Sequence, residues 1–263
     1  MGDPSFHRAL ITGASSGLGA AFSRFLAVRH VELFLAGRDR SALVSVADEA
    51  LLLGAKSVAL FPGDLSKEEE VRALVALLEE QSPDLVINNA GMGLYGPVVE
   101  QEVDRLVQMI DLNVKALAVL SREAARRMVQ GGEGGCILNI ASAAAFVPFP
   151  LSAMYSATKA FVHQFSSSMD FETAPHGVRV LAACPGVIAT RFRERAGGFF
   201  DVEKKSVMSA EYAVEQLWWQ MKRGKQIHIF GRWTRWMTLF AHYLLPRALI
   251  ASILKRQIMN LHR

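Results

Sequence analysis

Short apolar runs alternate with longer segments of mixed polarity along most of the chain. Runs in which Val, Ile, Leu and Ala fill nearly every position are typical of strands buried on both faces of a parallel sheet. They predict strands at residues 7–11, 31–36, 57–61, 85–87, 136–141, 178–184 and 226–230. Strands that alternate with helices over such a length favour an α/β fold with a doubly wound parallel sheet.

The segments between the strands carry the predicted helices. A helical pattern of apolar residues follows residue 17, and further helices are predicted at 41–53, within 98–130, around 152–174 and at 209–222. Residues 191–208 show no clear periodicity. We therefore predict a single α/β domain over residues 1–230 and a helical C-terminal extension over residues 231–263.

Composition narrows the class of protein. Of the 263 residues, 51% are hydrophobic and 21% are charged, which is ample for a buried core and argues against disorder. The two cysteines, Cys136 and Cys184, both lie in strand-like runs, so we expect buried free thiols and a reducing, cytoplasmic location. The N-terminus shows no signal-peptide pattern, and we assign no side chains to a metal.

The last part of the chain differs from the rest in its charge. From residue 216 onward there are nine Lys or Arg and no Asp or Glu, whereas the preceding residues hold 20 basic and 25 acidic side chains. The aromatic residues of this part include all four tryptophans, which are Trp218, Trp219, Trp233 and Trp236. An apolar, aromatic and cationic segment is typical of an interfacial membrane helix. The alternative is that residues 231–263 cover the substrate pocket or a neighbouring subunit.

A glycine-rich turn follows the first predicted strand. Residues 12–19 read Thr-Gly-Ala-Ser-Ser-Gly-Leu-Gly, and a helical pattern comes next. A strand, a glycine-rich turn and a helix together offer backbone N–H groups and the positive end of a helix dipole to a pyrophosphate. The alternative is a tight turn without a ligand. We predict a Rossmann-type dinucleotide site at Gly13, Ser15, Ser16, Gly17, Leu18 and Gly19.

The end of the second strand bears on the choice between NAD and NADP. NAD sites usually place an acidic residue there, which binds the ribose 2′-hydroxyl. This chain has Gly37 followed by Arg38, whose guanidinium suits a 2′-phosphate. We therefore expect NADP(H), with Asp39 at the start of the next helix. The alternative is that Arg38 is a solvated arginine which opens that helix.

A tyrosine stands four residues before a lysine in an alanine-rich stretch. Tyr155 and Lys159 therefore share one face of a predicted helix. A free phenol has a pKa of roughly 10, and a neighbouring ammonium lowers it. A tyrosine so tuned gives a proton to a carbonyl oxygen or takes one from an alcohol. Ser142 ends an apolar run and is placed to hold the same oxygen, although a Tyr-x-x-x-Lys pair alone is more often structural.

Together these motifs resemble those of the short-chain dehydrogenase/reductase family over roughly residues 8–190. The catalytic tetrad of that family matches Asn113, Ser142, Tyr155 and Lys159. The resemblance implies that Asn113 holds a water in a proton relay to Lys159, and that residues 191–208 form a mobile substrate lid. It also implies further cofactor contacts from Asp64 and Leu65 to the adenine, from the motif containing Asn89, Ala90 and Gly91, from Tyr155 and Lys159, and from Pro185, Gly186 and Thr190 to the nicotinamide.

The function that the resemblance implies is NADP(H)-dependent reduction of a carbonyl, or oxidation of an alcohol, on a hydrophobic substrate. Tyr155 would transfer the proton, Ser142 would polarise the oxygen, and Lys159 would bind the nicotinamide ribose and lower the pKa of Tyr155. The rival from another class is a catalytically silent dinucleotide-binding regulator or scaffold. That rival accounts for the glycine-rich turn but not for the complete tetrad.

Partners are predicted from the same resemblance. Family members commonly form homodimers or homotetramers through the helices that correspond to residues 100–130 and 152–174, where Phe161, Val162 and Phe165 are core or interface residues. The apolar richness of the C-terminal extension argues against nucleic acid as a partner and permits peripheral membrane contact through residues 231–263. Residues 191–263 resemble a poorly defined subgroup near the bacterial DltE-like reductases, which does not fix a substrate.

Overall fold

The computed structural model describes residues 5–197 and 207–260. Its strands are β1 (Arg8–Thr12), β2 (Glu32–Gly37), β3 (Val58–Pro62), β4 (Leu85–Asn88), β5 (Gly135–Ile140), β6 (Val178–Cys184), β7 (Val187–Ile188), β8 (Val207–Met208) and β9 (Ile227–Ile229). Within the described residues, seven parallel strands form one sheet in the order β3-β2-β1-β4-β5-β6-β9, and β7 pairs with β8. The strand order reverses between β1 and β4, which is where ligands bind in open α/β sheets.

Helices cover both faces of the sheet and form its connections. They are α1 (Gly17–Ala27), α2 (Arg40–Leu52), α3 (Glu68–Gln81), α4 (Val103–Ile110), α5 (Leu117–Gly131), α6 (Ala153–Thr173), α7 (Phe192–Arg195), α8 (Ala210–Lys222), α9 (Arg232–Leu244) and α10 (Arg247–Asn260). The predicted doubly wound α/β fold is therefore confirmed. The predicted strands all occur, and none of their ends is shifted by more than one residue.

The central strands bury side chains on both of their faces, which explains why they read as continuous apolar runs. Ile11 and Leu35 pack with residues of α1, α2 and α8. Leu10 and Phe34 point to the opposite face and pack with residues of α3 and α5. Because successive side chains alternate between the faces, one strand contributes to both halves of the core.

A buried polar network connects the sheet to α6, the helix that carries Tyr155. The side-chain amide of Asn88 donates to the Ser121 hydroxyl at 3.0 Å and to Asn139 Oδ1 at 2.9 Å. Asn139 in turn donates to the Ser166 hydroxyl on α6 at 2.9 Å. Buried polar groups are costly unless they are paired, so this network favours one position of α6 over the sheet.

The segment predicted as one or two helices within 98–130 is more irregular than expected. It contains a 3₁₀ turn at Val98–Glu100, then α4, then a π-helical turn at Asp111–Ala116, and then α5. Asn113 lies in the π-helical turn, where one extra residue per turn widens the helix. Such turns are frequent at functional sites.

The predicted lid over residues 191–208 is only partly described. Its described parts are α7 and the short strand β8, and residues 198–206 lie outside the described residues. After β9, the chain continues into α9 and α10, which are separated at Leu245 and Pro246. A proline lacks the N–H that continues a helix, which explains why the two helices are separated there. The side chain of Trp233 lies outside the described part of the chain.

Candidate active site

A cleft of about 700 Å³ opens at the carboxyl ends of the central strands. It is lined by the turn after β1, the ends of β2, β4, β5 and β6, and the first turns of α6. Most of the residues predicted to bind the cofactor or to act in catalysis line it: Gly13, Ser15, Ser16, Gly17, Leu18, Arg38, Asp64, Leu65, Asn89, Ala90, Gly91, Ser142, Tyr155, Lys159, Pro185, Gly186 and Thr190. Asn113 and Gly19 lie behind the cleft wall.

The glycine-rich turn is fixed against β4 by hydrogen bonds. The Thr12 hydroxyl accepts from the N–H of Asn89 at 3.0 Å and from the N–H of Ala90 at 2.9 Å. The Asn89 side chain donates back to the carbonyls of Thr12 at 2.9 Å and Gly13 at 3.2 Å. Gly13 has a φ of +66°, and a Cβ there would stand 2.8 Å from Asn89 Nδ2. The turn thus needs glycine for its backbone angle and for close packing.

The end of β2 places both a cation, Arg38, and an acid, Asp39, at the cleft, and the next helix binds the acid. Arg38 is exposed and lines the cleft. Asp39 caps α2, because its carboxylate accepts from the Ser41 hydroxyl at 2.7 Å and the Ala42 N–H at 3.0 Å. Those bonds, the Ala42 N–H first, hold the pKa of Asp39 below its usual range. The predicted position of Asp39 at the helix start is confirmed.

Asp64 and Leu65 follow β3 and line the same cleft. The Asp64 carboxylate accepts from the N–H and the hydroxyl of Ser66, at 3.1 and 2.8 Å. Leu65 is buried and packs with the second face of the core. Asp64 Oδ1 therefore serves a local turn, and the carboxylate still lines the cleft.

Ser142 lies two residues after the end of β5 and is held by the backbone around it. Its hydroxyl accepts from the Ala144 N–H at 3.1 Å, and the Ala143 N–H donates to the Pro185 carbonyl at 2.9 Å. The second bond joins the Ser142 loop to the end of β6. The Ser142 side chain also hydrogen bonds to the Tyr155 phenol. A substrate oxygen placed between Ser142 and Tyr155 would meet two hydroxyl groups.

Lys159 lies one helical turn after Tyr155 and is almost fully buried. Its ammonium donates to the Ile140 carbonyl at 2.7 Å and lies 5.8 Å from the centre of the Tyr155 ring. Burial disfavours the charged form of an amine, and it lowers the pKa of Lys159 to about 8. The side chain is therefore close to half-protonated at mildly alkaline pH.

The pKa of Tyr155 moves in the direction opposite to the prediction. Burial raises it above its ordinary value, and the hydrogen bond from Ser142 offsets part of that rise. The expected lowering by Lys159 is wrong for the chain alone, because desolvation of the phenolate dominates. The phenol of Tyr155 is therefore protonated at neutral pH, which suits a proton donor.

Asn113 is fully buried and binds the loop after β4. Its Oδ1 accepts from the Met92 N–H at 2.9 Å, and its amide donates to the Met92 carbonyl at 2.8 Å and to the Thr158 hydroxyl at 3.1 Å. A Cβ added at Gly91 would stand 3.2 Å from Asn113 Oδ1 and 3.5 Å from Lys159 Nζ. Asn113 and Lys159 therefore flank the same stretch of backbone, and within the described part of the chain no hydrogen bond joins them directly.

The short helix α7 lies beside Tyr155, which is predicted to act in catalysis, and this helix was missed by sequence reasoning. The ring of Phe192 is 5.7 Å from the ring of Tyr155, and the Tyr95 N–H donates to the Ala196 carbonyl at 3.0 Å. At its other end, Arg195 reaches the Ser16 hydroxyl in the glycine-rich turn at 3.4 Å. One signal was present, since three arginines fall within 191–195, but their positions depend on contacts far away in the chain.

Comparisons with known proteins agree with this geometry. A family model described as short chain dehydrogenase matches residues 7–197. An uncharacterized oxidoreductase of Staphylococcus aureus is 35% identical over 184 residues, which cover 69% of this chain and 78% of the relative.

Two solved structures are similar to this chain over most of their length. The first is a short-chain dehydrogenase from Sphingobium yanoikuyae in complex with NADPH, with a TM-score of 0.81 and 34% identity over 89% of this chain and 92% of that one. The second is a bulky-bulky ketone specific alcohol dehydrogenase from Comamonas testosteroni, with a TM-score of 0.78 and 30% identity over 89% and 90% of the two chains.

The packing of the glycine-rich turn predicts the effect of a single methyl group. A Cβ at Gly19 would stand 2.8 Å from Asn89 Nδ2 and closer still to the Gly13 carbonyl oxygen. We expect Gly19→Ala to lower the free energy of unfolding by about 1 to 3 kcal/mol, because backbone atoms must move apart. We also expect weaker binding of NADPH, measured by titration calorimetry, because the turn that lines the cleft shifts.

Gly131→Ala is the matched control. A Cβ at Gly131 meets none of the described atoms within 4 Å. The free energy of unfolding should stay unchanged or rise by up to about 1 kcal/mol, since alanine favours a helix over glycine. Equal stability and equal NADPH affinity of the two variants in urea unfolding and calorimetry would contradict the packing argument.

Proposed function

The chain belongs to the short-chain dehydrogenase family, and we propose that it is an NADP(H)-dependent oxidoreductase that interconverts a carbonyl and a secondary alcohol. One observation carries the proposal. Ser142, Tyr155 and Lys159 line the same cleft as the glycine-rich turn and Arg38. A proton donor and a dinucleotide site in one cleft are what carbonyl reduction requires. A hydrophobic substrate fits the apolar side chains around Tyr155, which include Phe149 and Phe192.

The cleft residues fit a dinucleotide phosphate. Gly13 and Gly17 both have positive φ values, of +66° and +57°, so the turn can approach a ligand without side chains in the way. The first turn of α1 supplies backbone N–H groups for a pyrophosphate. Arg38 and Arg195 bring positive charge to the same end of the cleft. The nicotinamide of a bound cofactor supplies or accepts the hydride.

In the direction of reduction, the protein handles the proton. Tyr155 is protonated in its buried position and donates to the substrate oxygen as the carbonyl becomes an alcohol. Ser142 hydrogen bonds to the same oxygen and orients it. Lys159, while protonated, offers positive charge within 5.8 Å of the ring centre to the phenolate that remains. We assign the return of the proton to Lys159 and to water near Asn113, which lies beside it around Gly91.

The silent regulator or scaffold remains the rival function. It requires the dinucleotide site but no proton donor. Loss of NADPH absorbance with a panel of hydrophobic ketones and aldehydes separates the two functions, because a silent protein leaves NADPH unchanged. The Comamonas testosteroni relative, named for bulky-bulky ketones, guides the choice of that panel.

We also propose a cytoplasmic location. Cys136 and Cys184 are both buried and free, and free thiols suit a reducing compartment. Burial raises the pKa of each thiol to about 12, so neither thiol is a reactive group at neutral pH.

The mechanism predicts that Tyr155→Phe removes turnover and spares cofactor binding. The ring remains beside Phe192, whereas the proton donor is lost. We expect kcat to fall by about a hundred- to ten-thousandfold, the usual contribution of a general acid, while the Kd for NADPH stays nearly constant. Tyr212→Phe on α8 is the control, since Tyr212 is exposed and lies outside the cleft. Normal turnover in Tyr155→Phe would exclude the mechanism.

The position of Arg38 predicts a preference for NADPH over NADH. A guanidinium bound to a phosphate contributes a charge-assisted hydrogen bond, so Arg38→Ala should weaken NADPH binding by about ten- to a hundredfold and leave NADH binding nearly unchanged. Arg40→Ala is the control, because Arg40 is also exposed but does not line the cleft. The cofactor assignment is wrong if the parent protein binds NADH as tightly as NADPH.

We propose a homodimer or homotetramer. Val103, Val107 and Ile110 are exposed at i, i+4 and i+7 on α4, so they form an apolar stripe on one helix face. On α6, Phe161 is exposed, whereas Val162 belongs to the core. An exposed apolar stripe of this kind suits a subunit interface.

Val107→Glu should therefore lower the sedimentation coefficient of the protein at micromolar concentration, since it places a charge in the proposed interface. Val28→Glu is the control, because Val28 is equally exposed at the end of α1. A parent protein that sediments as a monomer at this concentration would contradict the proposal.

A further inference from the structure

Helix α9 is oriented with its large apolar side chains toward solvent. Trp236 is 74% exposed and Tyr243 is 75% exposed, and Phe240 and Leu244 are exposed on the same face. These four residues stand at i, i+4, i+7 and i+8, which is one face of a helix. Surface helices normally bury such a face against the protein, so this one presents it to something outside the fold.

The opposite face of α9 holds the helix on the protein. Thr234, Thr238 and Ala241 are half-buried at helical spacing, and they are smaller or more polar than the exposed residues. Arg235 also points inward, because its Nε donates to the Ile229 carbonyl at 3.1 Å and a terminal nitrogen lies 3.1 Å from His228. The helix is thus attached by its less apolar side.

Helix α10 extends the same surface. Leu249 and Ile253 are exposed one turn apart, whereas Ile250 is buried against the protein. Exposed cations accompany them at Arg247, Lys255 and Arg256. We call the exposed side chains of these two helices the tail face: Trp236, Met237, Leu239, Phe240, Tyr243, Leu244, Arg247, Leu249, Ile253, Lys255 and Arg256.

The positive charge of the tail face indicates what kind of partner it binds. No acidic residue occurs in the sequence after Glu215, so the cations of the tail face have no carboxylate of their own segment to pair with. In a two-fold dimer the same patch meets itself, and like charges brought together cost free energy. A second copy of this chain is therefore a poor partner, whereas an anionic surface complements both the charge and the apolar area.

A cover over the substrate cleft does not account for the tail face. Thr234, at the start of α9, lines the cleft. The large apolar residues of the tail face do not line it, and they point to solvent. The lid interpretation of residues 231–263 thus applies at most to the first turn of α9 among the described residues.

We infer that the tail face binds the surface of a membrane that contains anionic lipid. Tryptophan and tyrosine favour the boundary between headgroups and acyl chains, and basic side chains are attracted to anionic headgroups. Of the helices that the structure describes, none has the length and apolar character to cross a bilayer. The two helices would lie in the plane of the interface, with the cleft joined to the membrane-bound helix at Thr234.

The test is co-sedimentation of the full chain with vesicles. Vesicles of phosphatidylcholine alone are compared with vesicles that also contain phosphatidylglycerol, at low and at high salt. We expect binding to the anionic vesicles, little binding to the neutral ones, and release by salt. The double variant Trp236→Ser/Tyr243→Ser should lower the partition coefficient by at least about tenfold, because it removes apolar area from the interface.

Matched variants separate this inference from general effects. Phe171→Ser removes an equally exposed aromatic side chain from α6 and should bind vesicles like the parent. Lys255→Glu/Arg256→Glu should weaken binding to anionic vesicles by more than about tenfold, whereas Lys56→Glu/Lys67→Glu, with the same change in net charge, should have little effect. NADPH affinity and circular dichroism of each variant show that the fold is intact.

Two results would overturn the inference. The first is a parent protein that stays in the supernatant with anionic vesicles at low salt. The second is a Trp236→Ser/Tyr243→Ser variant that binds vesicles like the parent but sediments as a smaller assembly, which would assign the tail face to contact between copies. Neither result depends on turnover, so the inference can fail while the proposed oxidoreductase function stands.

Discussion

The hydroxyl group of Thr12 is the contact on which the arrangement of the site depends most. It accepts from the N–H groups of Asn89 and Ala90, and so it fixes the end of β1 against the end of β4. The Asn89 side chain closes the connection from the other side through the Thr12 and Gly13 carbonyls. The glycine-rich turn and the loop beginning at Gly91 therefore keep a constant separation, which sets the width of the cleft between them.

The same loop reaches the proposed catalytic residues. Gly91 packs beside Asn113 and Lys159, and Asn113 holds the backbone of Met92. Lys159 is bound to the carbonyl of Ile140 at the end of β5, two residues before Ser142. A displacement of β1 against β4 would thus change the positions of Lys159 and Ser142 as well as that of the glycine-rich turn. Close-packed protein interiors transmit such shifts because they have little free volume.

Burial decides the proton chemistry of the site. It raises the pKa of Tyr155 and lowers that of Lys159 to about 8, since both charged forms lose hydration. The phenol is kept neutral and able to donate, while the amine loses its charge as the pH rises through its pKa. The positive charge near the phenolate is therefore present below about pH 8 and declines above it.

Most strands of the fold and part of the site could be predicted from the sequence, because these features depend on the local pattern of residues. The strands appear as apolar runs, and Tyr155 and Lys159 share a helix face by spacing alone. The sign of the Tyr155 pKa shift could not be predicted, because desolvation depends on what covers the phenol. Likewise, Arg195 meets Ser16 across 179 positions of sequence, and the outward orientation of Trp236 depends on which face of α9 meets the protein. Such features are set by tertiary packing, which the pattern of one chain does not encode directly.

The fate of deuterium carried at both hydrogen positions of C4 of the NADPH nicotinamide tests the central claim most directly. The protein is incubated with the labelled cofactor and the panel of hydrophobic ketones and aldehydes, and the products are analysed by mass spectrometry and NMR. The account predicts that each alcohol formed carries one deuterium on its carbinol carbon, with the hydroxyl proton derived from solvent. Failure to oxidise NADPH with any member of the panel, or alcohol without the label, would contradict it.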